Sequence, residues 1–288
     1  MVPDFQIRGV PEEVEIFRDI PTKVFKVLIN LAVRYAPDIA LAIGLQAFGG
    51  LRPGEVCNVR QERSPKGAGI LFTFVGGRLV KAEVDLTHEY AMRSDGVVCG
   101  SIKKERKQCI YPPFLEAFHT LYGYHAEYLA FHAFETEYCP MFINKKGMAM
   151  TYNDYYRRFG ELIDGKLRPQ LLGHADPECR IYGQLLCENR LGPHALRHWF
   201  SVQLALRGED VAQIQFWRGD RNLKKAFSHR RCLFLLHKYQ TNSGSAERRE
   251  THGNIITIIC LSEAEEQTEQ PTVIGEKTQN RQGKVNDD

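Results

Sequence analysis

Between Gly192 and Asp220 the chain reads GPHALRHWFSVQLALRGEDVAQIQFWRGD, and this stretch constrains the fold more than any other. Its apolar residues recur at helical spacing, so it predicts two successive helices over about 194–207 and 209–217, closed by an Arg-Gly-Asp turn. His194 and Arg197 stand three apart at the start of the first helix and share a face, with His198 four on from His194. Such a face offers a guanidinium and imidazole donors, a set able to hold a phosphate whose charge grows in a transition state. A buried histidine completing a helix start accounts for the same pattern without chemistry.

The flanking sequence alternates helical and β-rich segments. PTKVFKVLINLAVRYA and PDIALAIGLQAF predict two helices over residues 21–48 that are separated at Pro37, with Gly49 and Gly50 as a C-terminal cap. Pro53 is placed to open a further short helix. GILFTFVGGRLVKAEVDL holds two β-rich runs around Gly76-Gly77, a hairpin signal. A third strand is expected near Gly96–Cys99 or Gln108–Tyr111. Pro112 and Pro113 introduce a helix over FLEAFHTLYGYHAEYLAFHAF, MFINKKG reads as a short strand and turn, and NDYYRRFGELID is helical again. Residues 167–193 show little periodicity and are expected to be loop with some helix. The fold class that follows is α+β, mainly α, with a small antiparallel sheet.

Composition narrows the function classes. Hydrophobic residues make up 43% of the 288 and charged residues 25%, as in ordinary globular proteins. No apolar run approaches the roughly 18–20 residues of a membrane helix, and MVPDFQIRGVPEEVEIF does not read as a signal peptide, so a cytoplasmic protein is expected. The eight cysteines are scattered with no C-x-x-C pair and read as free thiols. His174, Cys179, Cys187 and His194 lie close in sequence but match no common zinc template, so no metal is assigned. From Ser262 to Asp288 seven acids face three bases, which leaves the net charge of +3 as a basic body and an acidic tail. A basic body suits a polyanionic partner.

Two further segments gather cations. GGLRPGEV sets Arg52 at a helix start behind two glycines, where its planar fork can meet a phosphate and Glu55 can orient it. SIKKERK places Lys103 and Lys104 beside the β region, where a lysine can donate a proton to a leaving group. An exposed turn arginine and a solvated loop are the ordinary explanations.

Taken with HALRHWFSVQLALRGEDVAQIQ, LQAFGGLRPGEVCNV makes the chain resemble the catalytic domain of the tyrosine recombinases, or phage integrases, over roughly residues 20–240. The His-x-x-Arg box is the specific part. The resemblance implies a mainly helical catalytic domain over 21–241, preceded by a short extension (1–20), while composition reads 242–288 as a polar, acidic, disordered tail. It implies DNA strand breakage and rejoining, in which a tyrosine hydroxyl forms a 3′-phosphotyrosine link and a free 5′-hydroxyl later reattacks. No cofactor is needed, because the covalent bond conserves the phosphodiester energy. The implied partners are double-stranded DNA and further copies of the chain assembled on it, with no membrane. Arg52 and Arg197 would clamp the nonbridging oxygens, His194 would assist proton transfer or hydrogen-bond the phosphate, and Lys103 or Lys104 would protonate the leaving oxygen.

The chain departs from the family in three places. Where members end the second helix in Leu-Gly-His, this chain has Trp217-Arg218-Gly219-Asp220, so Asp220 stands in the place of a histidine donor. An ionised carboxylate cannot donate and repels a phosphate. The family's usual spacing to the nucleophile reaches His229, and the nearest downstream tyrosine is Tyr239. Members also carry a helical clamp domain ahead of the catalytic one, and residues 1–20 do not supply it, so one-sided DNA contact is expected unless a partner chain completes it. Arg221, Lys224, Lys225, Arg230 and Arg231 are the candidate contacts to backbone phosphates. The alternative to an active recombinase is a DNA-binding or recombinase-partner module of the same fold that does not cleave. If Arg197 clamps phosphate rather than packing, Arg197→Ala is expected to leave the thermal midpoint nearly unchanged.

Overall fold

The computed structural model describes residues 19–88, 95–132 and 139–220. Two helices open this part, α1 (Thr22–Tyr35) and α2 (Pro37–Gly49), with Pro37 at the N1 position of the second. Pro37 lacks the N–H that would continue α1, yet its fixed φ suits the first turn of α2. Every residue of α2 from Asp38 to Gly49 is buried. A helix apolar on all sides has to sit at the centre of a core, and α2 packs against α1 on one side and two later helices on the others. A short helix, α3 (Pro53–Val56), follows directly.

The expected hairpin forms β1 (Ile70–Val75) and β2 (Arg78–Leu86), turning at Gly76 and Gly77. Both glycines have positive φ, +57° and +79°, as a two-residue turn matched to the strand twist requires. The pairing shifts register between Thr73 and Phe74, a bulge that bends the ribbon. β3 (Arg106–Cys109) pairs antiparallel with β2, completing a three-stranded sheet of order β1-β2-β3. Along β2, Ala82, Val84 and Leu86 are buried at alternate positions. Register sets Val84 opposite Gln108 and Leu86 opposite Arg106, so two polar side chains of β3 lie on the core-facing side.

Helix α4 (Leu115–His132) starts after a 3₁₀ turn at Pro112–Phe114. MFINKKG makes only a bridge between Ile143 and Ala149, not a strand. Next comes α5 (Tyr152–Leu162), which Thr151 caps by accepting from the Asp154 N–H at 3.0 Å. It runs through a π turn at Ile163–Leu167 into α6 (Arg168–Leu172).

The segment read as mostly loop contains a full helix, α7 (Pro177–Glu188), capped by Asp176 with Pro177 at N1. Its buried stripe is Cys179, Tyr182, Gly183 and Leu186. That spacing is helical, but a stripe built from cysteine, glycine and tyrosine carries little hydrophobic signal. The last described helices, α8 (His194–Leu206) and α9 (Val211–Arg218), match the reading of the 192–220 stretch. Trp199 of α8 stacks on Phe25 of α1, with ring centroids 3.9 Å apart, and is tilted against Phe114 at 5.9 Å. Phe48 of α2 lies 5.0 Å from Phe114, so one aromatic cluster draws together α1, α2, α8 and the 3₁₀ turn that leads into α4. Among the described residues no helix is long and apolar enough to cross a membrane.

Candidate phosphate-binding site

Three turns converge on one point: the end of α2 leading into α3, the start of α8, and the end of α9. Arg52 is the N-cap residue of α3, in extended backbone at the helix start. Its backbone N–H and Nη1 donate to Glu55 Oε2 and Oε1, both at 2.9 Å. Its other terminal nitrogen, Nη2, donates to Asp220 Oδ1 at 2.5 Å. Arg197, one turn into α8, donates from Nη2 to the same Oδ1 at 2.7 Å and to the Arg218 carbonyl at 3.0 Å. Its Nη1 donates to the Gly50 carbonyl at the C-cap of α2. The two arginines expected to clamp a phosphate thus meet on a single carboxylate oxygen.

The site holds more cations than the sequence reading assigned to it. Arg106, on the core-facing side of β3, makes a two-pronged contact with Glu55, Nη1 to Oε1 at 3.0 Å and Nη2 to Oε2 at 2.9 Å. Arg218, the last residue of α9, sets Nε 2.9 Å from Asp220 Oδ2, an ion-pair contact that lacks hydrogen-bond alignment. Its Nη1 donates to Ser201 Oγ at 2.8 Å. Neither arginine was singled out in the sequence. For Arg106 the structure supplies the clue: Gln108, two residues on, is buried on the strand, and the same face continues through Arg106.

Burial sharpens the electrostatics. Glu55 is fully buried. Burial alone would push its carboxyl up, but the hydrogen bonds and charges of Arg106 and then Arg52 outweigh it and hold the carboxyl below its ordinary range. Burial, followed by the charge of Arg218, pushes the Arg197 guanidinium down to about 9, and it stays protonated at neutral pH. Arg197 is only 4% exposed and ties three elements together. Against the expectation that Arg197→Ala would spare stability, burial predicts a cost: truncation leaves the Gly50 carbonyl without this donor and removes one of the guanidinium groups around Asp220, which keeps Arg52 and Arg218.

Beside this cluster lies an open cavity of about 320 Å³ lined by Arg52, Ser101, Lys103, Tyr152 and His194, among others. His194 is exposed at the N-terminus of α8, while Arg197 turns inward. The loop carrying Lys103 is held against α3 at Gly100, where an added Cβ would come within 2.2 Å of the Gly54 carbonyl oxygen. That approach fixes the side of the cavity on which Lys103 lies. Lys104 lines a different depression with Arg106, Phe216 and Asp220. His198 does not join the face of His194; its Nε2 lies 2.7 Å from Asp19 Oδ1. Trp217 packs edge-on against Tyr111 with ring centroids 5.1 Å apart. His174, Cys179, Cys187 and His194 form no metal-holding cluster among the described residues. Tyr239, His229, Arg221, Lys224, Lys225, Arg230 and Arg231 lie outside the described residues.

No protein-family model matches the sequence, and no curated protein sequence matches it. Solved structures do. One is a recombinase, one a transposon integrase and one a site-specific recombinase. The crystal structure of XerA recombinase is 16% identical, with 82% of this chain and 67% of that chain covered and a TM-score of 0.48. The Tn1549 transposon integrase in complex with transposon right-end DNA is 17% identical, covering 84% and 71%, with a TM-score of 0.49. XerH site-specific recombinase bound to its palindromic difH substrate is 16% identical, covering 77% and 51%, also at 0.49.

Proposed function

We propose that the chain is the catalytic domain of a site-specific DNA recombinase or integrase that breaks and rejoins double-stranded DNA through a phosphotyrosine intermediate. One observation carries the reading. Arg52 and Arg197, each singled out from its own sequence box, meet on the same oxygen of an anion, and His194 and Lys103 line the cavity beside Arg52. Two guanidinium groups on one oxygen are suited to the nonbridging oxygens of a phosphodiester, whose charge rises as an alkoxide or phenoxide attacks. In this reading Lys103 would protonate the leaving oxygen, and His194 would assist proton transfer or hydrogen-bond the phosphate. Tyr239 is the proposed nucleophile, Arg221, Lys224, Lys225, Arg230 and Arg231 are proposed backbone contacts, and assembly of several copies on DNA is part of the proposal.

Covalent trapping tests it. Nicked duplexes drawn from DNA flanking the gene are incubated with the protein, denatured in SDS and examined for a shifted protein–DNA band. The expected band disappears with Tyr239→Phe and with Arg52→Gln. Salt-sensitive duplex binding without a band, for the wild type and for Asp220→Asn alike, would instead make the chain a non-cleaving module.

A further inference from the structure

The carboxylate of Asp220 stands where the proposed reaction needs a phosphate oxygen. Its Oδ1 takes Arg52 Nη2 at 2.5 Å and Arg197 Nη2 at 2.7 Å, and its Oδ2 lies 2.9 Å from Arg218 Nε. It is an anion held by three guanidinium groups in a buried position. Glu55 does not share this task fully, because both of its oxygens are also engaged by Arg106. Among the described residues, four arginines, Arg52, Arg106, Arg197 and Arg218, are in ion-pair contact with two carboxylates, Glu55 and Asp220. A cluster so rich in guanidinium groups favours an anion at its centre.

Each of these arginines also has an anchor other than Asp220. Arg52 is anchored by Glu55, Arg197 by the Gly50 and Arg218 carbonyls, and Arg218 by Ser201. The carboxylate therefore fills an anion point that its neighbours build independently of it.

We propose that Asp220 is a built-in occupant of the phosphate point between Arg52 and Arg197, which a DNA phosphate reaches only by displacing it. This rests on the reading that the site takes a phosphodiester, and it adds that the wild-type chain restrains its own site. Displacement exchanges one anion for another on the same donors, so no group is oxidised, reduced or transferred. The Arg-Gly-Asp ending of α9, where the resembled family has a neutral donor, then sets how readily the site opens. Substituting Asp220 should strengthen anion binding, whereas a residue contributing to a phosphate clamp would weaken it when lost.

Inorganic phosphate is the first probe. Thermal midpoints of the wild type, Asp220→Asn and Asp220→Ser are measured in phosphate and in chloride at equal ionic strength. The two variants should gain a phosphate-dependent rise that the wild type lacks, since a ligand that binds only the folded state raises its midpoint. The rise should vanish in Asp220→Asn/Arg52→Gln. A short duplex of arbitrary sequence should bind Asp220→Asn about tenfold tighter than wild type, equivalent to about 1.4 kcal/mol. Variants that respond to phosphate no more than the wild type overturn the proposal. If a variant does not fold in chloride, its recovery on refolding in phosphate supports the proposal, and failure in both buffers overturns it. A phosphate response without duplex binding by any variant keeps the role of Asp220 and defeats the DNA reading. Duplex binding that Arg52→Gln weakens but Asp220→Asn leaves unchanged does the reverse.

Discussion

Replacing Glu55 with glutamine tests the electrostatic frame of the site. The wild-type carboxylate accepts four hydrogen bonds, from the Arg52 N–H, Arg52 Nη1, Arg106 Nη1 and Arg106 Nη2, all at 2.9–3.0 Å. A glutamine in the same rotamer can keep the two bonds at one oxygen. Its amide nitrogen then faces two donors. Two hydrogen bonds to a charged group are lost, each worth about 1.5–3 kcal/mol. Arg106, whose side chain is 10% exposed, loses its counter-charge, while Arg52 retains Asp220. The sum agrees with the cost of breaking a buried ion pair, about 3–5 kcal/mol. For a domain of this size about 2–4 °C is lost per kcal/mol, so the thermal midpoint should fall by roughly 6–20 °C.

Calorimetry at neutral pH reads the fall directly, and pH gives a second readout. The Glu55 carboxyl is held below its ordinary value, so its contribution is complete above the unfolded value of about 4.3 and is lost as pH drops below it. The gap between wild type and Glu55→Gln should therefore narrow below about pH 4. Arg106→Gln should cost less in the Glu55→Gln background than in the wild type, with a coupling of about 0.5–3 kcal/mol. A fall of less than about 2 °C at neutral pH, or additive single and double variants, would refute the reasoning.

Other perturbations probe separate parts of the molecule. Trp199 is fully buried and its indole N–H has no hydrogen-bond acceptor among the described residues, so Trp199→Ala should cost about 3–5 kcal/mol in urea unfolding. Trp199→Phe should cost distinctly less, because removing the orphan N–H offsets part of the lost packing; equal costs would contradict this. His125 is buried with Nε2 2.9 Å from the Met141 carbonyl and Nδ1 3.2 Å from that of Pro37, and burial holds its ring below its ordinary value despite both carbonyls. The unfolded chain therefore takes up the proton first as pH falls below about 6.5, and stability should drop by up to about 1.4 kcal/mol per pH unit. His125→Gln should flatten that slope in urea titrations between pH 6.5 and 5.5, and identical slopes would show another group responsible. In single-turnover strand breakage, Lys103→Ala should slow the covalent step by about 10²-fold or more and Lys104→Ala by much less, as expected if only Lys103 faces the Arg52 cavity. The opposite order would move the leaving-group acid to Lys104.

Local rules decided much of what the sequence made legible. Pro37 and Pro53 open helices because a residue without an N–H belongs at N1, and Gly76-Gly77 turns the hairpin because both positions need positive φ. The α8–α9 pair follows from a 3.6-residue apolar period, and the structure adds the Asp210 cap of α9. Arg52, Lys103, Lys104, His194, Arg197 and Asp220 could be named as candidates because they sit in short contiguous motifs. α7 was not, since its buried stripe is made of residues that signal burial weakly. What only the tertiary structure decided is how side chains from distant elements share charge. No spacing rule connects Arg106 on a strand with Glu55 on α3, or sets Asp220 between Arg52 and Arg197. Those contacts exist because the core packs α2, α8 and the sheet so that their ends meet, and burial of charge then forces each guanidinium to find a carboxylate or a carbonyl.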